Sequence, residues 1–461
     1  MTKQKFYRNF WKIGRTDLNT DFYDIDKDGE LVVREGNYQY NLFELIKKFG
    51  SPLEVAFPFV VERRLSELIE TFNKWIKTYR YRGKFFYHYP MKASQNREFV
   101  LPILSEGGNL EVTSANELWL VKRLWEQEQF SSRIRVICNG PKTNQYLSLI
   151  FELREKGLQI TPIIEDKFEL AALSTFKGDV GIRLDPQIKV HGHWDKKFNR
   201  FGLTADEILS FGKIRNLKLL HYHTSKQLEY LEDVTAPLKK AMEVYVKLRK
   251  INPNLDMIDI GGGMPVPFVK RPLFSTESVV KRVLQVIQKA CDKAEIPHPD
   301  VLVEWGSYLV APAQVTIYRV LSEKDIINGS KPAIAKKWYI VDGSFMNDLK
   351  DTWAIHQKWH IVPVNHLNAH KTTRTWLAGL SCDSDDKYTN GGNYVPLPRL
   401  EDLTNGDQLY VAVMDTGAYQ DALSSHHCLL SSPAKIVIQN GVITVARKRE
   451  SAEEVGKQFG W

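Results

Sequence analysis

Several apolar runs in this chain end on residues able to do chemistry. Phe85-Phe86-Tyr87-His88-Tyr89-Pro90-Met91 ends on Lys92. A strand-end lysine either reaches water or, in a pocket where burial lowers its pKa, is an amine that condenses with an aldehyde. Lys92 alone does not decide between the two. Asp259-Ile260 leads into Gly261-Gly262-Gly263, where successive backbone amides can approach an anion such as a phosphate, or simply make a tight turn. His221 and His223 share one face of a strand; His223, nearer its end, either stacks on an aromatic ring or is a hydrogen-bonded core histidine. Neither this pair nor His426-His427-Cys428 has the spacing of a known zinc ligand set. Glu304 closes Val301-Leu302-Val303, and a carboxylate there needs a partner: a helix lysine, or a protonated ring nitrogen that it would keep charged. Cys382-Asp383-Ser384-Asp385-Asp386 is an acidic loop beside a thiol. It lacks the glycine and distal glutamate of a calcium loop. Its acids, like Asp351, are either solvated or available to a cationic substrate end. Tyr419 either offers a hydroxyl to a phosphate or packs at a strand end.

The elements that must carry these residues alternate. Strand candidates at 53–57, 85–91, 109–113, 134–138, 160–164, 180–184, 217–223, 257–260 and 301–304 are separated by amphipathic helical stretches. In the clearest of these, Leu231, Val234, Leu238, Ala241, Tyr245 and Leu248 line one face, with a kink expected at Pro237. Repeated βα units predict a parallel sheet. Nine strands suggest a (β/α)8 barrel with one to spare, residues 53–57, bridging to another domain; a doubly wound open sheet competes. In such a barrel the chemistry lies at the C-terminal strand ends, where Lys92, Glu111, Arg183, His223, the three glycines and Glu304 fall. After about residue 310 short strands and turns such as Asn440-Gly441 replace the helices. The expected division is a lead-in at 1–52 that joins the β domain, a barrel at 53–309, and a C-terminal β-rich domain at 310–461.

Composition narrows the classes. The net charge of +8 comes from 63 basic and 55 acidic residues mixed along the chain, without the clustered excess of a nucleic-acid binder. No apolar run reaches the 18 or so residues of a membrane span. The N-terminus lacks an apolar core before a small-residue cleavage site, so no secretory leader is expected. Four scattered cysteines without a C-x-x-C pair suit a reducing cytoplasm.

Taken together, Tyr89-Pro90-Met91-Lys92, Leu110-Glu111-Val112-Thr113-Ser114, Ile137-Cys138-Asn139-Gly140, Arg200-Phe201-Gly202-Leu203, His221-Tyr222-His223, Asp259-Ile260-Gly261-Gly262-Gly263, Asp351-Thr352-Trp353, Cys382-Asp383-Ser384-Asp385 and Gly417-Ala418-Tyr419-Gln420 make the chain resemble the fold-type III pyridoxal-phosphate decarboxylases, an alanine racemase-like barrel family. The last three segments make it most similar to the biosynthetic arginine branch. The resemblance implies that Lys92 carries pyridoxal 5'-phosphate covalently and that His223 stacks on its ring. It implies that Glu304 pairs with the ring nitrogen, that Gly261 to Gly263 and Tyr419 hold the phosphate, and that Glu111 and Arg183 sit beside the cofactor. It further implies a homodimer with a composite site. Cys382 and Asp383 come from the partner subunit, Cys382 returning a proton to the α-carbon and Asp383 with Asp351 receiving the substrate's basic end. The sequence departs from the family in two places. Ser307 stands where the family has an arginine that binds phosphate, and Thr224-Ser225-Lys226 follows His223 where the family has a glycine and a serine. Lys226 is expected to supply the charge that Ser307 lacks.

The leading expectation is decarboxylation of L-arginine to agmatine and carbon dioxide, in polyamine biosynthesis. The same chemistry on ornithine, lysine, diaminopimelate or a larger amino acid is the nearest alternative. A non-catalytic regulator of a polyamine enzyme, or a barrel enzyme acting on a phosphorylated metabolite, are alternatives of other classes.

Overall fold

The computed structural model describes residues 3–127, 134–191, 200–225, 227–327, 334–404 and 406–461. Lys226 and Asn405 therefore lie outside the described residues. The chain forms two compact units. One comprises residues 61–266 and 272–309, the other residues 1–60, 267–271 and 310–461.

The first unit is a closed barrel of eight parallel strands in sequence order: β1 (Phe85–Pro90), β2 (Asn109–Val112), β3 (Arg135–Cys138), β4 (Gln159–Ile164), β5 (Val180–Leu184), β6 (Leu217–Tyr222), β7 (Met257–Asp259) and β8 (Asp300–Val303), with β8 paired to β1. A helix connects each strand to the next. The strand-to-helix loops are closed by side-chain caps: Thr143, Asp166, Thr204 and Ser275 each accept backbone N–H bonds from the first helical turn, satisfying donors that helix geometry leaves unpaired. In the helix Leu231–Ile251, which runs through Pro237, four residues of the face that the 3.6-residue spacing predicts, Leu238, Ala241, Tyr245 and Leu248, are fully buried, while Leu231 and Val234 in its first turns are half-buried.

Inside the barrel Phe86, Ile137, Ile163, Leu219, Met257 and Leu302 form one apolar layer. Gly181 of β5 belongs to the same level, and it has no room for a side chain. A Cβ there would lie 2.4 Å from Ile163 Cδ1 and 3.0 Å from Leu219 Cδ2. The layer is filled by its neighbours, as barrel interiors are.

The second unit holds a three-stranded antiparallel sheet (Tyr23–Ile25, Leu31–Glu35, Tyr38–Asn41) and a ten-stranded sheet. Its core gathers Tyr318, Tyr339, Val341, Phe345, Trp359, Leu377, Leu397, Val411 and Val413. The strand Leu53–Ala56, expected as the spare, lies wholly here: it pairs antiparallel with Gln314–Asp325 and parallel with Ala434–Gln439. The barrel unit thus begins after it, later than residue 53. The segment 267–271 is also contributed to this unit. Among the described residues no helix is long and apolar enough to cross a membrane.

Candidate active site

Side chains alternate along a strand, so a residue two positions beyond the apolar layer also faces the barrel axis. Ile137 is followed in this way by Asn139, Ile163 by Glu165, Gly181 by Arg183, Leu219 by His221, Met257 by Asp259 and Leu302 by Glu304. Glu111 of β2 and Lys92, in the short turn after β1, complete a ring drawn from all eight strands.

The ring is hydrogen-bonded. Lys92 Nζ donates to Glu111 Oε2 at 3.0 Å. The amide nitrogen of Asn139 donates at 2.9 Å to Glu111 Oε1 and at 2.9 Å to Glu304 Oε1. Glu304 N–H donates to Gly261 O, and Gly261 N–H to Asp259 Oδ1. Gly262 N–H donates to His223 Nδ1 at 3.0 Å, so the proton of a neutral His223 ring sits on Nε2. Arg183 Nη1 donates to Glu165 Oε1 at 2.9 Å, and its guanidinium covers the Phe201 ring.

The glycines are required by space. A Cβ on Gly261 would lie 2.5 Å from Tyr222 O, one on Gly262 2.8 Å from His223 Cε1, and one on Gly263 2.9 Å from Ser225 O; Gly261 and Gly263 also have φ of +65° and +115°. Two of their amides are donated within the ring of residues, to Asp259 and His223, so the turn seats the histidine.

Burial sets the electrostatics. Glu111, Asp259 and Glu304 are buried, which raises them to about 7, about 6 and about 7 respectively, with their mutual repulsion adding to the effect. Burial lowers His221 to about 4, so it is neutral near pH 7. Lys92 serves Glu111 and Arg183 serves Glu165, which leaves the Asp259–Glu304 pair beside a neutral imidazole. His221 Nδ1 and Asp259 Oδ2, both buried, face each other at 3.2 Å without the geometry of a hydrogen bond. This donor set suits pyridoxal phosphate: an amine for its aldehyde, and a buried carboxylate for its ring nitrogen.

Asn139, Glu165, His221 and Asp259 carried no site role in the sequence reading. Their signal was the spacing of two from an inward apolar residue, which can be read only once the inward face is known. Ser307 lies in the short helix Gly306–Val310, and Lys226, the expected compensating charge, is outside the described residues.

Asp351, Cys382, Asp383 and Tyr419 belong to the β unit. Asp351 is buried, and its N–H donates to Gln420 Oε1, bringing the Asp-x-Trp and Gly-Ala-Tyr-Gln segments together. Tyr419 adopts a left-handed φ of +69° ahead of the helical turn Gln420–Leu423. Cys382 is exposed, and a hydrogen bond with Cys428 pushes its thiol above the ordinary value.

A parallel barrel whose strand ends gather an amine, buried carboxylates and a glycine turn defines an α/β-barrel enzyme. Residues 65–311 match the family described as pyridoxal-dependent decarboxylase, pyridoxal binding domain, and the chain belongs to that family. It is similar to the biosynthetic arginine decarboxylase of Phocaeicola vulgatus, at 25% identity over 90% of this chain and 85% of the relative. Its fold is similar to the crystal structure of the biosynthetic arginine decarboxylase of Campylobacter jejuni (TM-score 0.78, 19% identity, 94% of this chain and 89% of that one). It is also similar to that of the diaminopimelate decarboxylase of M. jannaschii in complex with L-lysine (TM-score 0.80, 20% identity, 96% and 98%). The chain is a pyridoxal-phosphate-dependent amino-acid decarboxylase.

Proposed function

We propose that the enzyme decarboxylates L-arginine to agmatine. The observation that carries the chemistry is the chain of contacts from Lys92 through Glu111 and Asn139 to Glu304. Lys92 would hold the cofactor through its aldehyde, and Glu111, which accepts from the lysine amine, would keep that amine in place. Glu304 would pair with the protonated ring nitrogen and keep it charged, and His223, fixed by the Gly262 amide, would lie against the ring. Gly263, whose amide is donated to neither Asp259 nor His223, would take the phosphate with Ser307, and Arg183 would lie at the cofactor's side. When bound, pyridoxal phosphate supplies the electron sink for the pair left behind by carbon dioxide.

The substrate reading rests on residues of the β unit and on the relatives' names. Asp351 and Asp383 supply two carboxylates, which suit the planar fork of a guanidinium. A second copy of the chain brings Cys382 and Asp383 to the barrel mouth, where Cys382, a thiol held protonated by its neighbour, returns a proton to the α-carbon. Lysine or diaminopimelate is the second reading, favoured by the fold neighbour solved with L-lysine.

The test is release of carbon dioxide from the purified holoenzyme with arginine, lysine, ornithine and diaminopimelate, with amine products identified by mass. Agmatine formed at a kcat/KM at least about tenfold above the others supports the proposal; preference for another amino acid overturns the substrate reading and leaves the chemistry intact.

A further inference from the structure

Two segments of the β unit, distant in sequence, are fastened to one support. The buried carboxylate of Asp386 accepts from Ser381 N–H (3.0 Å), Ser344 Oγ–H (3.0 Å) and Met346 N–H (3.2 Å), which fixes the turn carrying Cys382 and Asp383. Asn347 fixes the other segment: its Nδ2 donates to His427 O (2.9 Å), and Ser425 Oγ donates to its Oδ1 (3.2 Å). Asn347 N–H donates to Ser344 Oγ (3.0 Å), so residues 344–347 brace both. Beside them Cys428 and Leu429 take left-handed φ values of +57° and +53°, a conformation that side chains other than glycine's disfavour.

The outcome is a cluster of donor atoms. Cys382 Sγ lies 3.5 Å from Cys428 Sγ, and with a His427 ring nitrogen all three ligand atoms lie within 4.8 Å of one another. Asp383 Oδ2 is 3.8 Å from His427 Nε2. The three cluster residues are exposed.

We propose that Cys382, Cys428 and His427, with Asp383 beside them, bind a soft divalent cation of the zinc class. Two thiolates and an imidazole are the donors such ions select over calcium or magnesium. Zinc–sulfur and zinc–nitrogen bonds of about 2.3 and 2.0 Å place tetrahedral ligand atoms roughly 3.3–3.8 Å apart. The sulfur pair already has that spacing, and the histidine closes the remainder by turning its ring. Binding forms two metal–sulfur bonds and one metal–nitrogen bond and releases the thiol protons to solvent; no electrons move. Asp383 or water fills the fourth position. Under the function proposed above, a filled site withholds the Cys382 proton and stops turnover; that consequence rests on the proposed role of Cys382, whereas the binding does not.

The experiment titrates the holoenzyme with zinc chloride against a chromophoric chelator, for wild type, Cys428→Ser and His427→Ala, and follows thiol alkylation and decarboxylation in the same samples. One zinc per chain is expected, bound at least about 100-fold more weakly in either variant, since losing a ligand exceeds the 10–100-fold cost of losing an outer partner. Zinc should protect both wild-type thiols from alkylation until chelator is added, and should inhibit wild type but not the variants. Equal zinc binding by all three proteins, or none, overturns the site. Protection that only a thiol reductant reverses identifies a disulfide and overturns it too. Stoichiometric binding lost in both variants but without inhibition of wild type upholds the site and overturns the proton-donor role of Cys382.

Discussion

The ammonium of Lys92 and the carboxylate of Glu111 are 3.0 Å apart; the lysine side chain is 36% exposed and the glutamate side chain 0%. The buried partner fixes the amine at the barrel axis, and the exposed one leaves it open to an incoming aldehyde. Lys92→Ala removes both the attachment point and the ammonium facing Glu111. The purified variant should lack the borohydride-reducible chromophore and lose activity by at least about 10³-fold, the scale for losing a covalent-catalysis nucleophile. A coloured, active variant would remove the amine from the mechanism.

Asn139 holds two buried acids with one amide. Asn139→Ala leaves Glu111 and Glu304 each short of a donor, a loss of about 1–3 kcal/mol in stability. Asn139→Asp, which adds a further acid, should cost more. Urea denaturation of the three proteins checks the order.

Glu304 gives a pH signature in the cofactor-free protein. Its carboxyl is raised from 4.5 to about 7, chiefly by burial and next by Asp259. Between those values the folded state binds more protons than the unfolded one. The stabilisation is therefore full below about pH 4.5 and is lost as pH rises through about 7. Apoprotein should melt at lower temperature at pH 8 than at pH 5. Glu304→Gln should flatten that decline by on the order of 2–3 kcal/mol while lowering activity of the reconstituted enzyme by about 10²-fold or more. A stability curve that rises from pH 5 to 8 in the wild-type apoprotein contradicts this assignment.

Gly262→Ala separates space from backbone strain, because Gly262 is the one glycine of the three without a left-handed φ. Its added methyl meets His223 Cε1 at 2.8 Å and Glu304 O at 3.1 Å. Cofactor affinity, read by fluorescence titration of the apoprotein, should fall at least about tenfold, or 1.4 kcal/mol. An unchanged affinity means that His223 yields without consequence for the ring.

In the β unit Lys435 sits buried between Glu54 and Asp421, both of which Arg447 also contacts. Burial pushes Glu54 up to about 7, while Lys435 and Arg447 hold Asp421 well below its usual range. Lys435→Met should destabilise by about 3–5 kcal/mol, because it strands buried acids. A loss below 1 kcal/mol in chemical denaturation would show the network to be dispensable.

By itself the sequence determined what is local. Alternating apolar runs and amphipathic helical stretches carried the repeated βα order and the strand candidates, and they marked Lys92, Glu111, Arg183, His223 and Glu304 as polar residues closing such runs, since a strand's period of two and a helix's of 3.6 are written in neighbouring residues. Closure of the barrel decided the rest. Asn139 and Glu304 are 165 residues apart and share a hydrogen bond, so the amide's role existed only once the strand ends met. Glu54 reads as part of a spare strand leading out of the barrel, but its partners at 314–325 and 434–439 were set by pairing across the whole chain. Cys382 and Cys428 are 46 residues apart and form no spacing motif; the support at 344–347 makes them neighbours. Contacts between distant segments depend on how elements pack, and packing leaves no periodic trace in the chain.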